Sequence, residues 1–174
     1  MDFDTAFERL IQPGHEGGFQ ANPKDKGNWT GGQIGSGRLV GTKYGISAAS
    51  YPGEDIEHLT PERARELYRR DFWGPAGCDI VPDVLRFALF SVAVHTSAPR
   101  RPVTAIKMLQ RAAGVKDDGV IGRDTIMSVQ AMDRWRLRGR FCGHWLDYLN
   151  DGSAWNDFSR GWAQRIAEIL QEKA

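Results

Sequence analysis

The stretch HEGGFQANPKDKG, residues 15–27, is where this 174-residue chain changes character. Upstream of it, Phe3, Phe7, Leu10 and Ile11 fall at i, i+4, i+7 and i+8. That spacing is one face of a helix, and Asp2 or Asp4 stands in place to cap its start. Pro13 and Gly14 interrupt the pattern, and Gly17-Gly18 end it. Downstream, residues 20–50 are rich in glycine, with Asn22, Pro23, Asn28 and isolated apolar residues. Within them GGQIGSGRLVGT, residues 31–42, predicts short strands and turns, a small irregular β-lobe. The segment is too varied in composition to be a low-complexity linker.

Beyond the lobe the chain reads as helical. Thr60-Pro61-Glu62-Arg63 opens a helix with Thr as N-cap and Pro in the first turn, and Gly74-Pro75 stops it after about Phe72. Val84–Val94 is apolar nearly all round, which predicts a buried central helix. Val103–Ala113 is amphipathic and ends at Gly114, and Asp117-Asp118-Gly119 is a turn signal. Helices are predicted over Arg123–Leu137, Phe141–Leu149 and Trp155–Glu172. In the last, Trp155, Phe158, Trp162, Ile166 and Ile169 form one stripe. The fold class is therefore mostly α (α+β): a helical lobe, with a small Gly-rich β-lobe inserted after the first helix.

Composition narrows the function classes. Hydrophobic residues make up 41% and charged residues 26%, ordinary for a globular protein. A formal net charge of +1 carries no call for a nucleic acid partner. The Arg-rich stretches Arg63–Arg70 and Arg134–Arg140 read as solvated helix faces. No run approaches the roughly 20 apolar residues of a membrane span, so no stable membrane insertion is expected. The acidic N-terminus does not read as a secretory signal peptide, which implies synthesis in the cytoplasm. Cys78 and Cys142 lie far apart and read as buried free thiols, with a single disulfide left open.

Several other chemistries lack their signatures. His15-Glu16 is followed by two glycines rather than by the second half of HExxH. His58, His95 and His144 supply no zinc spacing, so no metal and no organic cofactor is expected. Cys78 with His95 has no thiol-protease motif around it. There is no GxSxG, P-loop or GxGxxG.

Glu16 is the first candidate for chemistry. A carboxylate where the first helix ends faces the negative end of the helix dipole, which a purely structural position would avoid. A glycosidase needs one carboxyl that donates a proton to the leaving oxygen. The flanking Gly17 and Gly18 remove side chains, so a bulky polymer can approach. The alternative is that Gly17 caps the helix and Glu16 is solvated. Asp25, nine positions on, is the only acidic residue between Glu16 and Glu54. It is either a turn residue or a second carboxylate across a cleft. Thr30 and Thr42 are the nearby hydroxyls that could orient a water.

The motifs in order are Glu16-Gly17-Gly18-Phe19, Asn22-Pro23-Lys24-Asp25-Lys26-Gly27 and Gly41-Thr42-Lys43-Tyr44-Gly45-Ile46-Ser47. In this order they resemble glycoside hydrolase family 108, phage and bacterial N-acetylmuramidases with an EGGY-type motif. The resemblance continues through Tyr68–Trp73 (YRRDFW) and through Leu109-Gln110, Gly114-Val115, Asp118-Gly119, Ile121-Gly122 and Thr125. That later part is similar to the peptidoglycan-binding-like segment of these proteins. Phe19 stands where Tyr is usual, and an extra stretch, about Asn28–Val40, separates the Asp loop from the Thr motif.

The resemblance implies a single lysozyme-like domain over residues 1–174, with a catalytic half (1–95) and a peptidoglycan-binding-like half (96–174). A substrate cleft would lie between the helical lobe and the β-lobe. It implies hydrolysis of the β-1,4 bond between N-acetylmuramic acid and N-acetylglucosamine. Glu16 takes the acid's place, Asp25 and Thr42 those of the second carboxyl and the hydroxyl, and Gly17, Gly18, Phe19 and Tyr44 contact substrate. The expected partner is the peptidoglycan glycan strand, and the expected state a monomer. The implied setting is a phage or prophage endolysin reaching the wall through a separate pore, or a bacterial wall-remodelling enzyme.

Overall fold

A computed structural model describes residues 1–12, 16–96, 98–151 and 155–172. The helix interruption at Pro13 and Gly14, and His15 beside Glu16, lie outside the described residues, as do the side chains of Trp155 and Phe158. The chain forms two compact units, one of residues 7–69 and one of residues 1–6 with 70–174. Among the described residues are seven α-helices and one small antiparallel sheet, the mostly α architecture with a β-lobe predicted above.

Helix α1 (Phe3–Leu10) opens on Asp2, whose carboxylate accepts from the Thr5 amide at 2.9 Å. Of the two candidate caps it is therefore Asp2 that serves. The 7–69 unit then builds strands β1 (Phe19–Gln20), β2 (Thr42–Lys43) and β3 (Ile46–Ser47), in the order β1-β2-β3. Register pairs Phe19 with Lys43, Gln20 with Thr42, and Thr42 in turn with Ser47. Tyr44 (φ 51°) and Gly45 (φ 74°) make the two-residue turn between β2 and β3. Two left-handed residues match the twist of the strands they join. The strands lie outside or at the edge of residues 31–42, where short strands and turns were expected. Between them the chain makes turns and one bridge, Trp29 with Leu39. Helix α2 (Pro61–Tyr68) has Thr60 as N-cap, accepting from the Arg63 amide at 3.2 Å. Phe7, Leu10, Ile46, Ile56, Leu67 and Tyr68 are fully buried and form this unit's core.

After Tyr68 the helix widens into a π-turn, Arg69–Trp73, instead of staying α-helical to Phe72. In the other unit Asp71 is completely buried and held by Arg70 (2.6 and 2.7 Å) and Arg100 (2.9 Å). A buried carboxylate needs such partners. Phe3, Trp73 and Phe90 pack edge to face around 5.4–6.0 Å. Helix α3 (Asp83–Thr96) is buried along most of its length, and α4 (Val103–Ala113) ends on left-handed Gly114 (φ 75°), both as predicted.

The next pair differs from prediction. One helix was expected over Arg123–Leu137 and another over Phe141–Leu149. Instead α5 (Arg123–Ala131) stops at extended Met132, and α6 (Arg134–Asn150) runs unbroken through Arg138, Gly139 and Arg140. The cause is Asp133, whose side chain caps α6 by accepting from the Arg136 amide at 2.8 Å. Helix α7 (Trp155–Gln171) buries Ile166 and Ile169, and Arg138 binds the Leu170 and Glu172 carbonyls at its end. Cys78 and Cys142 are buried and free. Burial pushes the Cys142 thiol up to about 11 and Cys78 well above the ordinary thiol value, which leaves neither as a ready nucleophile. Among the described residues no helix is long and apolar enough to cross a membrane.

Candidate active site

Glu16 is held by its backbone. Its amide donates to the Leu10 carbonyl at 2.9 Å, folding the chain back over the C-terminal turn of α1. Gly17 makes that return possible, because a Cβ there would collide with the Ile11 carbonyl. Tyr44 N then donates to Gly18 O at 2.9 Å and ties this segment to the hairpin turn.

Glu16, Gly17, Gly18, Phe19, Gln20, Thr42 and Gly45 line one cleft of about 200 Å³. Glu16 and Thr42 thus face a common space whose wall is largely glycine backbone. Gly45 is packed beneath the acid: a Cβ on it would collide with the Tyr68 hydroxyl and lie 3.1 Å from Glu16 Oε2. Tyr68 is fully buried and donates to the Tyr44 carbonyl at 2.8 Å. Gln20 was passed over by the sequence reading, and Gly45 and Tyr68, though inside its motifs, were given no role there. Gly45 was legible within Gly41–Ser47 and Tyr68 within Tyr68–Trp73, whereas Gln20 carries no local signal.

The other candidates fall as follows. Asp25 caps the 3-10 turn Lys26–Asn28, accepting from Gly27 N at 2.8 Å and from Gln20 Nε2 at 3.1 Å. Its link to the cleft runs through Gln20, which lines the cleft. Phe19 is half exposed on the cleft, and Tyr44 lies in the turn without lining it. Thr30 Oγ1 accepts from Arg38 N at 2.9 Å and lines a different groove of about 540 Å³, with Arg38, Tyr51 and Glu54. Glu54 and Asp71 are both engaged by arginine. Glu54 receives Arg63 at 2.6 and 3.1 Å.

In the helical unit a groove of about 610 Å³ is lined by Gln110, Asp118, Val120, Thr125 and Met127, among others. Gln110 Nε2 donates to Asp118 Oδ1 and Val120 O, both at 2.9 Å. That donation is the main cause holding the Asp118 carboxyl below its ordinary value.

Residues 11–96 match the family model for glycosyl hydrolase 108, and the match spans the acid, the cleft and the hairpin. The chain carries a glycosyl hydrolase 108 domain. A solved structure of SagA from Brucella abortus is similar over both units of this glycosyl hydrolase. It is 28% identical, covers 97% of this chain and 91% of its own, and has a TM-score of 0.78. No curated relative matches. The chain is a glycoside hydrolase, with peptidoglycan as the substrate that its family supports.

Proposed function

We propose that the chain cleaves the β-1,4 bond between N-acetylmuramic acid and N-acetylglucosamine, with Glu16 as general acid. The reading is carried by Glu16 and Thr42 lining one open cleft whose wall is otherwise mostly glycine backbone. Glu16 donates a proton to the glycosidic oxygen as the bond breaks. Thr42, with the Asp25 carboxylate joined to the cleft wall through Gln20, positions a water or offsets the positive charge developing on the sugar. Gly17, Gly18 and Phe19 contact the glycan, the half-exposed Phe19 ring offering an apolar face to a sugar, and Tyr44 supports them from the turn. Residues 96–174 serve as the wall-binding half, for which the groove beside Gln110 is the support. The setting is a phage or prophage endolysin acting as a monomer.

Muropeptides released from purified peptidoglycan test the bond. Reducing-end muramic acid is expected by mass spectrometry. Reducing-end glucosamine would make the enzyme a glucosaminidase, and free peptides would point to an amidase or endopeptidase.

A further inference from the structure

Between Gln20 and Thr42, which are paired across β1 and β2 and both line the cleft, lies a completely buried side chain, Asn28. A buried amide is costly unless its donors and acceptors are used. This one uses all of them. Asn28 Nδ2 donates to Gln20 Oε1 at 2.7 Å and to the Asn22 carbonyl at 3.0 Å. Asn28 Oδ1 accepts from Gln20 Nε2 at 3.1 Å and from Thr42 Oγ1 at 2.7 Å. The Gln20 amide is filled as well: its nitrogen also donates to Asp25 Oδ2 at 3.1 Å, and its oxygen accepts from Asn22 N at 2.9 Å.

The directions of these bonds follow from one group. The Asn22 carbonyl can only accept, so the Asn28 nitrogen must face it. The Asn28 oxygen must then face Gln20 and Thr42. Thr42 therefore has to spend its single hydroxyl proton on Asn28, and only its lone pairs remain for the cleft. The same chain of amides leads from Asn28 through Gln20 to the Asp25 carboxylate.

We propose that Asn28 is a positioning residue for hydrolysis: it fixes the Thr42 hydroxyl as an acceptor towards the cleft and joins it, through Gln20, to Asp25. A water bound to Thr42 must then donate to it, which turns the water's own lone pair away from Thr42 and leaves it free to attack the sugar. The proposal rests on the muramidase reading, in which Thr42 holds that water. Asn28 touches no substrate; its effect passes through Thr42.

The test is a double-mutant cycle of N28A and T42V on soluble glycan strands, with kcat, KM and melting temperature for each variant. Each single change is expected to lower kcat about 10- to 100-fold, the range for a mispositioned reactant, with KM within about twofold. The double variant should be no slower than the slower single one. Losses that multiply, or an N28A kcat per folded molecule equal to wild type, overturn the proposal. If N28A does not fold, N28L, which fills the same space without polar atoms, runs the same cycle.

Neutron diffraction of the wild-type protein needs no substitution. The Thr42 deuteron is expected between Oγ1 and Asn28 Oδ1, and a deuteron turned into the cleft overturns the assignment. E16Q separates this proposal from the reading beneath it. A dead E16Q with multiplying losses sinks the Asn28 role alone, whereas an active E16Q sinks the muramidase mechanism.

Discussion

Glu16 and Gly45 belong to one small arrangement in which an acid rests on a residue without a side chain. Replacing Glu16 with Gln keeps shape and removes the transferable proton. E16Q should melt near the wild-type temperature and lose about 10²–10⁴-fold in lysis rate, the usual contribution of general acid catalysis. Lysis above about a tenth of wild type would take the acid's role from Glu16. Gly45→Ala acts on the same place from below. The new methyl meets the Tyr68 hydroxyl and crowds Glu16 Oε2, and the left-handed turn (φ 74°) disfavours any side chain. Activity should fall more than stability does, because the collision is with the acid and its buried neighbour. Lysis rate beside thermal midpoint reads this, and a G45A protein of normal rate would mean that the contact is slack. Glu16 and Thr42 could be picked out from the order of motifs. Asn28 could not, because its amide serves residues eight and fourteen positions away and no periodicity marks it.

At the scale of elements, most of the helices were legible because their boundaries carry residues with a mechanism. Thr60-Pro61 starts α2 and Gly114 ends α4, and the Val103–Ala113 span was read as it stands. The break between α5 and α6 was misplaced because strong helix formers flank it, with neither Gly nor Pro at the break. Arg138-Gly139-Arg140 offered a glycine that the helix runs straight through. The real signal was Asp133, an N-cap inside an apparently continuous pattern. Asp133→Ala should therefore lower stability by about 1 kcal/mol, as lost caps typically do. Urea denaturation monitored by circular dichroism would measure it, and an unchanged midpoint would mean that the cap does not hold the break. The β-lobe was legible as a lobe but not as strands. Its two-residue strands are defined by the hairpin turn and the Gln20–Thr42 pairing rather than by alternation.

For the molecule as a whole, pH enters through His95 on α3. Burial, aided by the Arg165 charge, lowers its pKa to about 4, and its ring packs edge-on against Trp162 of α7 at 4.6 Å. In the folded chain His95 is neutral between pH 4 and 6.5, while in the unfolded chain it takes up a proton over that range. The unfolded state binds more protons there, so stability rises with pH across this window and is lost as pH falls through it. The difference amounts to roughly 3 kcal/mol at most. Melting temperature should drop between pH 6.5 and 4, and His95→Gln should flatten that slope. An identical slope in the variant would assign the acid sensitivity to other groups.

The grouping of residues 1–6 with 70–174 bears on the order in which the protein takes shape. A chain leaves the ribosome from its N-terminus and folds in parts as they emerge. Residues 7–69, with Glu16, the hairpin and the buried amide, are all out before Trp73 and Phe90 are made. Phe3 emerges ahead of residues 7–69 yet waits for them, since Trp73 and Phe90, the rings it packs against, are made after them. Birth order and assembly order are thus reversed at the first helix, whose opening turn can settle only once residues 73 and 90 have been made.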